Sequence, residues 1–152
     1  MNDSGRVIGI YVLNAHGERP QPRTEVRALV GSGLEGDLHG KGRAAGTGRQ
    51  VLVMDRQTLE ASGLNPGDLR EQITVDFAAL ETLPVGTHVR VGDATLEVTG
   101  PCEPCTHIGK LNGRPNAVEF KKSLEGRRGQ LAKVIAVEGD GFIRLGDPVR
   151  RA

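Results

Sequence analysis

The sequence predicts a mainly β domain, a barrel or a sandwich, and three observations carry that expectation. Twenty-two glycines and eight prolines punctuate the chain too often for long helices. Between them recur short runs whose apolar residues alternate or cluster as strands require. At 152 residues the chain holds one core of ordinary size, so residues 1–152 read as a single domain.

The elements follow in order. Gly5-Arg-Val-Ile-Gly-Ile-Tyr-Val-Leu13 reads as a first strand and Arg49-Gln-Val-Leu-Val-Met54 as another. Gln72–Asp76, Thr87–Val91 and Ala94–Thr99 come next, separated by Gly-Asp and Pro-Val-Gly turns, and Leu131–Val137 and Gly141–Leu145 close the series. Two short helices interrupt the strands: Arg56–Ser62, stopped by Gly63, and about Asn116–Leu124, stopped by Gly126. No repeat or low-complexity tract divides the chain.

Composition narrows the function classes. A net charge of +1 gives no global field toward nucleic acid or a membrane surface. One Tyr, three Phe and no Trp leave few platforms for stacking single-stranded bases. No apolar run approaches the roughly 18 residues of a membrane span. The start, Met-Asn-Asp-Ser-Gly-Arg, lacks the basic and apolar regions of a signal peptide. These features predict a cytoplasmic protein without a nucleic-acid or membrane partner, in which the cysteines rest as thiols.

Both cysteines fall in Pro101-Cys-Glu-Pro-Cys-Thr-His107, directly after the strand Ala94–Thr99. The two prolines stiffen the turn that carries the sulfurs. A thiol acts chemically as thiolate, which positive charge nearby favours, and His107 and Lys110 lie just downstream, on the side of Cys105. The Cys-x-x-Cys spacing allows a redox dithiol, half of a metal site completed by two of His16, His39, His88 and His107, or one reactive thiol beside an incidental neighbour. A pair of small buried hydrophobes is the bland alternative.

Three further segments bear on a ligand. Gly33-Leu-Glu-Gly-Asp-Leu-His-Gly-Lys-Gly-Arg43, running on to Arg49, could cradle an anion with backbone N–H groups and the charges of Lys41, Arg43 and Arg49. A solvated loop has the same composition, and His39 within it could be a ligand, a base or a bystander. From Pro101 to Lys133 the chain carries an excess of about +4, attractive to an anionic ligand. Within that stretch Arg127-Arg128-Gly129 sits between helix and strand, where a guanidinium fork can meet phosphate. At the start of a strand, Arg70, Glu71 and Gln72 could form a turn network or orient a ligand's amide-like edge.

Taken together these segments resemble a MOSC domain, named for the C-terminal domain of molybdenum-cofactor sulfurases. The matching pieces are Gly33–His39, Arg49-Gln-Val51, Pro66-Gly67, Leu69–Ile73 and Leu83–Gly86, then Val91–Thr99, Pro104-Cys105, Arg128-Gly129 and Gly146–Val149. The series runs from about residue 33 to 149, most of the chain. The resemblance implies a MOSC-type β-barrel with a few short peripheral helices. It implies that Cys105, which falls on the family's Pro-Cys, is the principal thiol, a metal ligand where the molybdenum cofactor is held or a persulfide carrier in the sulfurase setting. It places Arg70 and Gln72 on a pterin-contacting segment, where the family often has the shorter Asn in place of Gln72.

The chain departs from its larger relatives in having only about 32 residues before Gly33, too few for the companion domain that helps enclose the cofactor, and no desulfurase domain. It therefore reads as a small stand-alone member. Any pyridoxal phosphate chemistry would belong to a partner cysteine desulfurase, and a molybdoenzyme is the other partner class. The leading reading is a module that binds molybdenum cofactor, an anionic pterin, or carries sulfur on Cys105 with Cys102 as resolving thiol. His39, Arg49, Arg70, Gln72, Arg127 and Arg128 are the candidate cofactor-binding residues. The alternatives are a molybdenum-dependent reductase of N-oxygenated compounds with Cys105 on the metal, and a non-catalytic domain tied by zinc.

Overall fold

The computed structural model describes residues 4–15, 18–38, 48–102, 112–113, 116–123 and 128–152. Their strands are β1 (Ser4–Val12), β2 (Gln21–Arg23), β3 (Glu25–Leu29), β4 (Gly33–Leu34), β5 (Val51–Asp55) and β6 (Ile73–Asp76). After these come β7 (His88–Val91), β8 (Ala94–Pro101), β9 (Gln130–Val137), β10 (Phe142–Arg144) and β11 (Pro148–Arg151). Two short helices accompany them among the described residues, α1 (Arg56–Ala61) and α2 (Ala117–Ser123).

Seven strands close into a barrel in the order β1-β11-β7-β8-β9-β5-β6, with β6 returning to β1. Closure removes the open edges that an antiparallel sheet would otherwise expose. β5 and β6 are its parallel pair, joined by a crossover through α1, while the remaining pairings are antiparallel. β2 extends β1, and β10, β3 and β4 form a separate three-stranded sheet. The expected last strand, Gly141–Leu145, thus belongs to the small sheet, and the sequence reading stopped short of β11, which closes the barrel against β1 and β7. In the small sheet Arg27 and Arg144 lie over the Phe142 ring at 5.0 and 4.9 Å.

Alternation explains which faces go inward. Ala94, Leu96 and Val98 of β8 are buried while Thr95, Glu97 and Thr99 are not, and β9 repeats the pattern with Gln130, Ala132 and Val134. β5 differs, because all five residues are buried. Val51 and Val53 join the barrel core. Met54 points the other way, into a second cluster with Leu59, Leu64 and Leu69. The crossover between β5 and β6 therefore covers the outer face of β5, and at about 1.5–3 kcal/mol per buried aliphatic side chain that cover is firmly held.

The barrel interior is not a ligand chamber. Its residual cavity is about 10 Å³, lined by apolar side chains and Gln130, room for roughly one water. A 3-10 turn, Leu80–Thr82, packs at this cavity through Leu80. Gln130 fastens it, with Nε2 donating to the carbonyls of Leu80 at 3.2 Å and Glu81 at 3.3 Å.

Candidate functional site

The site lies on the outer face of β5, beneath the last turn of the crossover. That turn is organised by Glu71, which is fully buried. Its carboxylate accepts the Gly67 N–H at 2.9 Å, the Leu69 N–H at 3.2 Å and the Thr74 hydroxyl at 2.8 Å. Burial raises the Glu71 pKa, against the hydrogen bonds and the charge of Arg128. Of the two readings of Arg70-Glu71-Gln72, the turn network is therefore present in the fold.

Arg70, between two such anchored residues, adopts a left-handed backbone with φ of 62°. That conformation is uncommon for a side chain without local hydrogen-bonding ability, and it marks a position fixed by its surroundings. The strained residue carries a guanidinium whose Nη1 donates to the Glu18 carbonyl at 2.6 Å. A parallel tie runs from Arg19 Nη2 to Asp68 Oδ1 at 2.8 Å. Asn112 Nδ2 donates to the Asp68 carbonyl at 2.7 Å, which brings a third segment onto the same turn.

Arg128 approaches from the start of β9. The following Gly129 has φ of 89°, and a Cβ there would overlap Met54 Sδ and the Val53 carbonyl. Only glycine lets the chain press this closely on β5. Arg128 itself is 7 % exposed, and its Nε and Nη1 are buried with no hydrogen-bond partner among the described residues. It lies within electrostatic reach of both Arg70 and Glu71. Burial, Arg128 and Arg19 together pull the Arg70 pKa below its ordinary value. Two guanidinium groups share one region, and one of them holds two buried donors with no acceptor among the described residues.

The thiol segment begins beside this pair. β8 carries a register irregularity between Val98 and Gly100, a device that re-aims a strand end. Beyond it the Cys102 N–H donates to the Gly129 carbonyl at 3.0 Å, so half-buried Cys102 is pinned one residue from Arg128.

The candidate residues divide accordingly. Arg70 and Arg128 come together, with Cys102 joined through Gly129. Arg49 is exposed at the approach to β5. Gln72 turns inward: its Oε1 accepts the Leu52 N–H at 2.7 Å and its Nε2 donates to Asp37 Oδ2 at 3.3 Å. His39, Cys105 and Arg127 lie outside the described residues, as do His16 and His107. Of the glycine-rich segment, Gly33 and Leu34 pair with β3, and buried Asp37 accepts the Leu13 N–H at 2.8 Å. His88 stands on β7 with Nε2 3.2 Å from Glu97 Oε1. Among the described residues no group of three or more His, Cys, Asp or Glu is placed to hold a metal, and no helix is long and apolar enough to cross a membrane.

Sequence reasoning missed Arg19, Asp68 and Asn112 as partners of the turn. Nothing local to Gly17-Glu-Arg-Pro20 signals that Arg19 will meet a carboxylate 49 residues away.

A closed barrel with a buried guanidinium on its outer wall, beside a thiol-bearing strand end, defines a small β-barrel domain with a positively charged site outside the barrel. The chain belongs to the MOSC domain family, whose pattern matches residues 42–150. Its fold is similar to that of the YuaD protein from Bacillus subtilis, with a TM-score of 0.79, 21 % identity and coverage of 96 % of this chain and 94 % of that one. YiiM from Geobacillus stearothermophilus (TM-score 0.71, 16 % identity, 97 % and 75 % covered) and YiiM from Escherichia coli (0.66, 19 %, 97 % and 69 %) share it too. No curated protein matches the sequence.

Proposed function

We propose that this chain is a cofactor-binding module of molybdenum-cofactor chemistry, in which Arg128 and Arg70 receive the anionic part of a pterin cofactor. The observation that carries the reading is the buried guanidinium of Arg128, whose Nε and Nη1 have no hydrogen-bond partner among the described residues. A buried cation with unused donors is costly, and an anion supplies both the charge and the acceptors it lacks. The donor set fits a phosphate: planar N–H groups from Arg128, with Arg70 and exposed Arg49 adding charge. Cys105, three residues beyond the pinned Cys102, is the thiolate that would face a soft metal. When bound, the cofactor supplies the redox and oxygen- or sulfur-transfer chemistry, while the protein contributes position and charge.

The test is molybdenum and pterin analysis of protein from a cofactor-replete cell, beside Arg128→Ala and Cys105→Ser. Both components in the parent, lost from Arg128→Ala, support the reading. Their absence from the parent overturns it.

A second reading rests on the bond between Cys102 and Gly129, which fixes one thiol of the Cys-x-x-Cys beside the anion site. In it Cys105 thiolate attacks the terminal sulfur of a donor persulfide, the donor leaves as thiolate, and Cys105 holds the sulfane sulfur. Cys102 then attacks the inner sulfur of Cys105, forming a disulfide and releasing hydrosulfide. A partner cysteine desulfurase would be the donor. A mass gain of about 32 Da that vanishes in Cys105→Ser supports it, and an unmodified parent protein after incubation with a persulfide donor excludes it.

A further inference from the structure

A second set of buried polar atoms meets the Arg128-Gly129 turn from the barrel end, and cofactor binding does not employ it. Glu81, on the 3-10 turn, sets its carboxyl at the Gly129 N–H, which favours its ionised form, while the Gly129 carbonyl accepts the Cys102 N–H. Gly129 therefore lies between the Cys102 backbone and the Glu81 carboxyl, directly between Arg128 and Gln130. It has no slack, since β5 leaves no room even for a Cβ.

The other oxygen of that carboxyl, Oε1, is buried without a partner among the described residues, and so is Oε1 of Gln130. Gln130 lies along the same turn, because its Nε2 donates to the Leu80 and Glu81 carbonyls. Both orphans are acceptors in their ordinary states, so neither can satisfy the other. A proton on Glu81 converts one of them into a donor. The charged surroundings point the same way. Asp55, at the end of β5, is buried beside Glu81 and already accepts the Phe77 N–H at 2.8 Å. The Arg56–Asp76 pair, between α1 and the end of β6, closes on itself at 3.3 Å. Arg128 is the cation on the approach to β9.

We propose that Glu81 is a proton-dependent electrostatic control on the anion site: protonated, it shares its proton with Gln130 Oε1, directly or through one water, and leaves no charge behind Gly129 and Arg128; ionised, it is repelled by Asp55 and sets a negative charge behind the site that weakens anion binding. The proposal rests on the anion-site reading of Arg128 and adds its regulation. Burial, with Asp55 beside it, pushes the Glu81 carboxyl up to about 7, which places the change in the neutral range. Anion binding strengthens on acidification, and by linkage a bound anion draws a proton onto Glu81.

The experiment is an NMR pH titration of the whole chain between about pH 5.5 and 8.5, following the Gly129 amide proton, with sulfate affinity measured at both ends. Sulfate keeps its charge throughout, so only the protein titrates. In the parent the Gly129 amide is expected to move with a midpoint near neutrality, and sulfate to bind about fivefold more weakly at the alkaline end. Glu81→Gln, which keeps the shape and supplies a permanent donor, is expected to abolish the titration and hold sulfate affinity at its acid value. A Gly129 amide that does not move, or still moves in Glu81→Gln, overturns the proposal. Sulfate bound equally at both ends also overturns it and leaves the anion reading standing. Sulfate bound at neither end, with a titrating amide, overturns the anion reading instead.

Discussion

Gln72 completes the parallel ladder between β5 and β6 with its own side chain. Its backbone N–H donates to the Leu52 carbonyl at 3.0 Å, and its side-chain Oε1 accepts the Leu52 N–H at 2.7 Å. One residue thus satisfies both polar groups of another where the two strands begin to separate. Replacing Gln72 by Met leaves the Leu52 N–H buried and unpaired and removes a donor from Asp37. The expected loss is about 1–3 kcal/mol in urea unfolding. Gln72→Glu is expected to do worse above pH 6, because it sets a carboxylate against Asp37. A Met variant as stable as the parent would show that this rung is not structural.

The second core fixes the turn that carries Arg70, and with it the proposed anion site. Leu69 is wholly buried against Met54, Leu59 and Leu64, its N–H binds Glu71, and Arg70 follows it in the left-handed conformation. Leu69→Ala is expected to cost about 2–5 kcal/mol. Sulfate binding is expected to weaken more than in Val75→Ala, which empties the barrel core instead. Equal sulfate affinity in the two variants, both still folded, would separate the crossover from the site.

Much of this architecture is written in period-2 alternation, and the exceptions are physical. Ala94–Thr99 and Leu131–Val137 announce themselves because each has one wet and one dry face. Glu25-Val-Arg-Ala-Leu29 alternates just as cleanly, with Val26 and Ala28 buried, yet it is short and its sheet has three strands. Pro148-Val-Arg-Arg151 offers one buried residue, Val149, and is a strand only because β1 and β7 flank it. In the site, Arg70 and Arg128 were visible as charges near glycines and strand ends. That one of them would be buried with two donors unmet among the described residues was not, since burial of a guanidinium depends on the crossover folding over β5. Glu81 gave no signal at all: Leu-Glu-Thr-Leu-Pro reads as an ordinary turn until Gly129 and Asp55 arrive from distant sequence.

Arg128 is held against the interest of stability. Two buried donors without a partner among the described residues, and a desolvated charge, weigh on the folded state, relieved at range by Glu71. Arg128→Met keeps the length and removes the charge. At pH 6 it is expected to raise stability by about 1 kcal/mol while abolishing sulfate binding. Thermal unfolding with and without sulfate reads both effects. A destabilised Arg128→Met at pH 6 would mean that the guanidinium serves packing rather than a ligand.

Glu81 gives the stability of the whole chain a pH signature. Its pKa in the folded protein is raised to about 7 from an ordinary 4.5. The folded state therefore holds this proton where the unfolded state has already released it, and the sign follows by linkage. Below about pH 4.5 both states are protonated and Glu81 imposes no penalty. Between about 4.5 and 7 the folded state loses ground steadily as pH rises, and above 7 the loss levels off. Partial exposure of the carboxyl to solvent limits the size of the effect. Glu71 is shifted in the same direction, so the parent protein sums two such contributions. Glu81→Gln removes one of them. Urea midpoints are expected to fall from pH 5.5 to 8 in the parent and to fall less in the variant, with the two proteins furthest apart at pH 8, where the variant is the more stable. Coincident midpoints at pH 8 would place the Glu81 carboxyl in water, with an ordinary affinity for its proton.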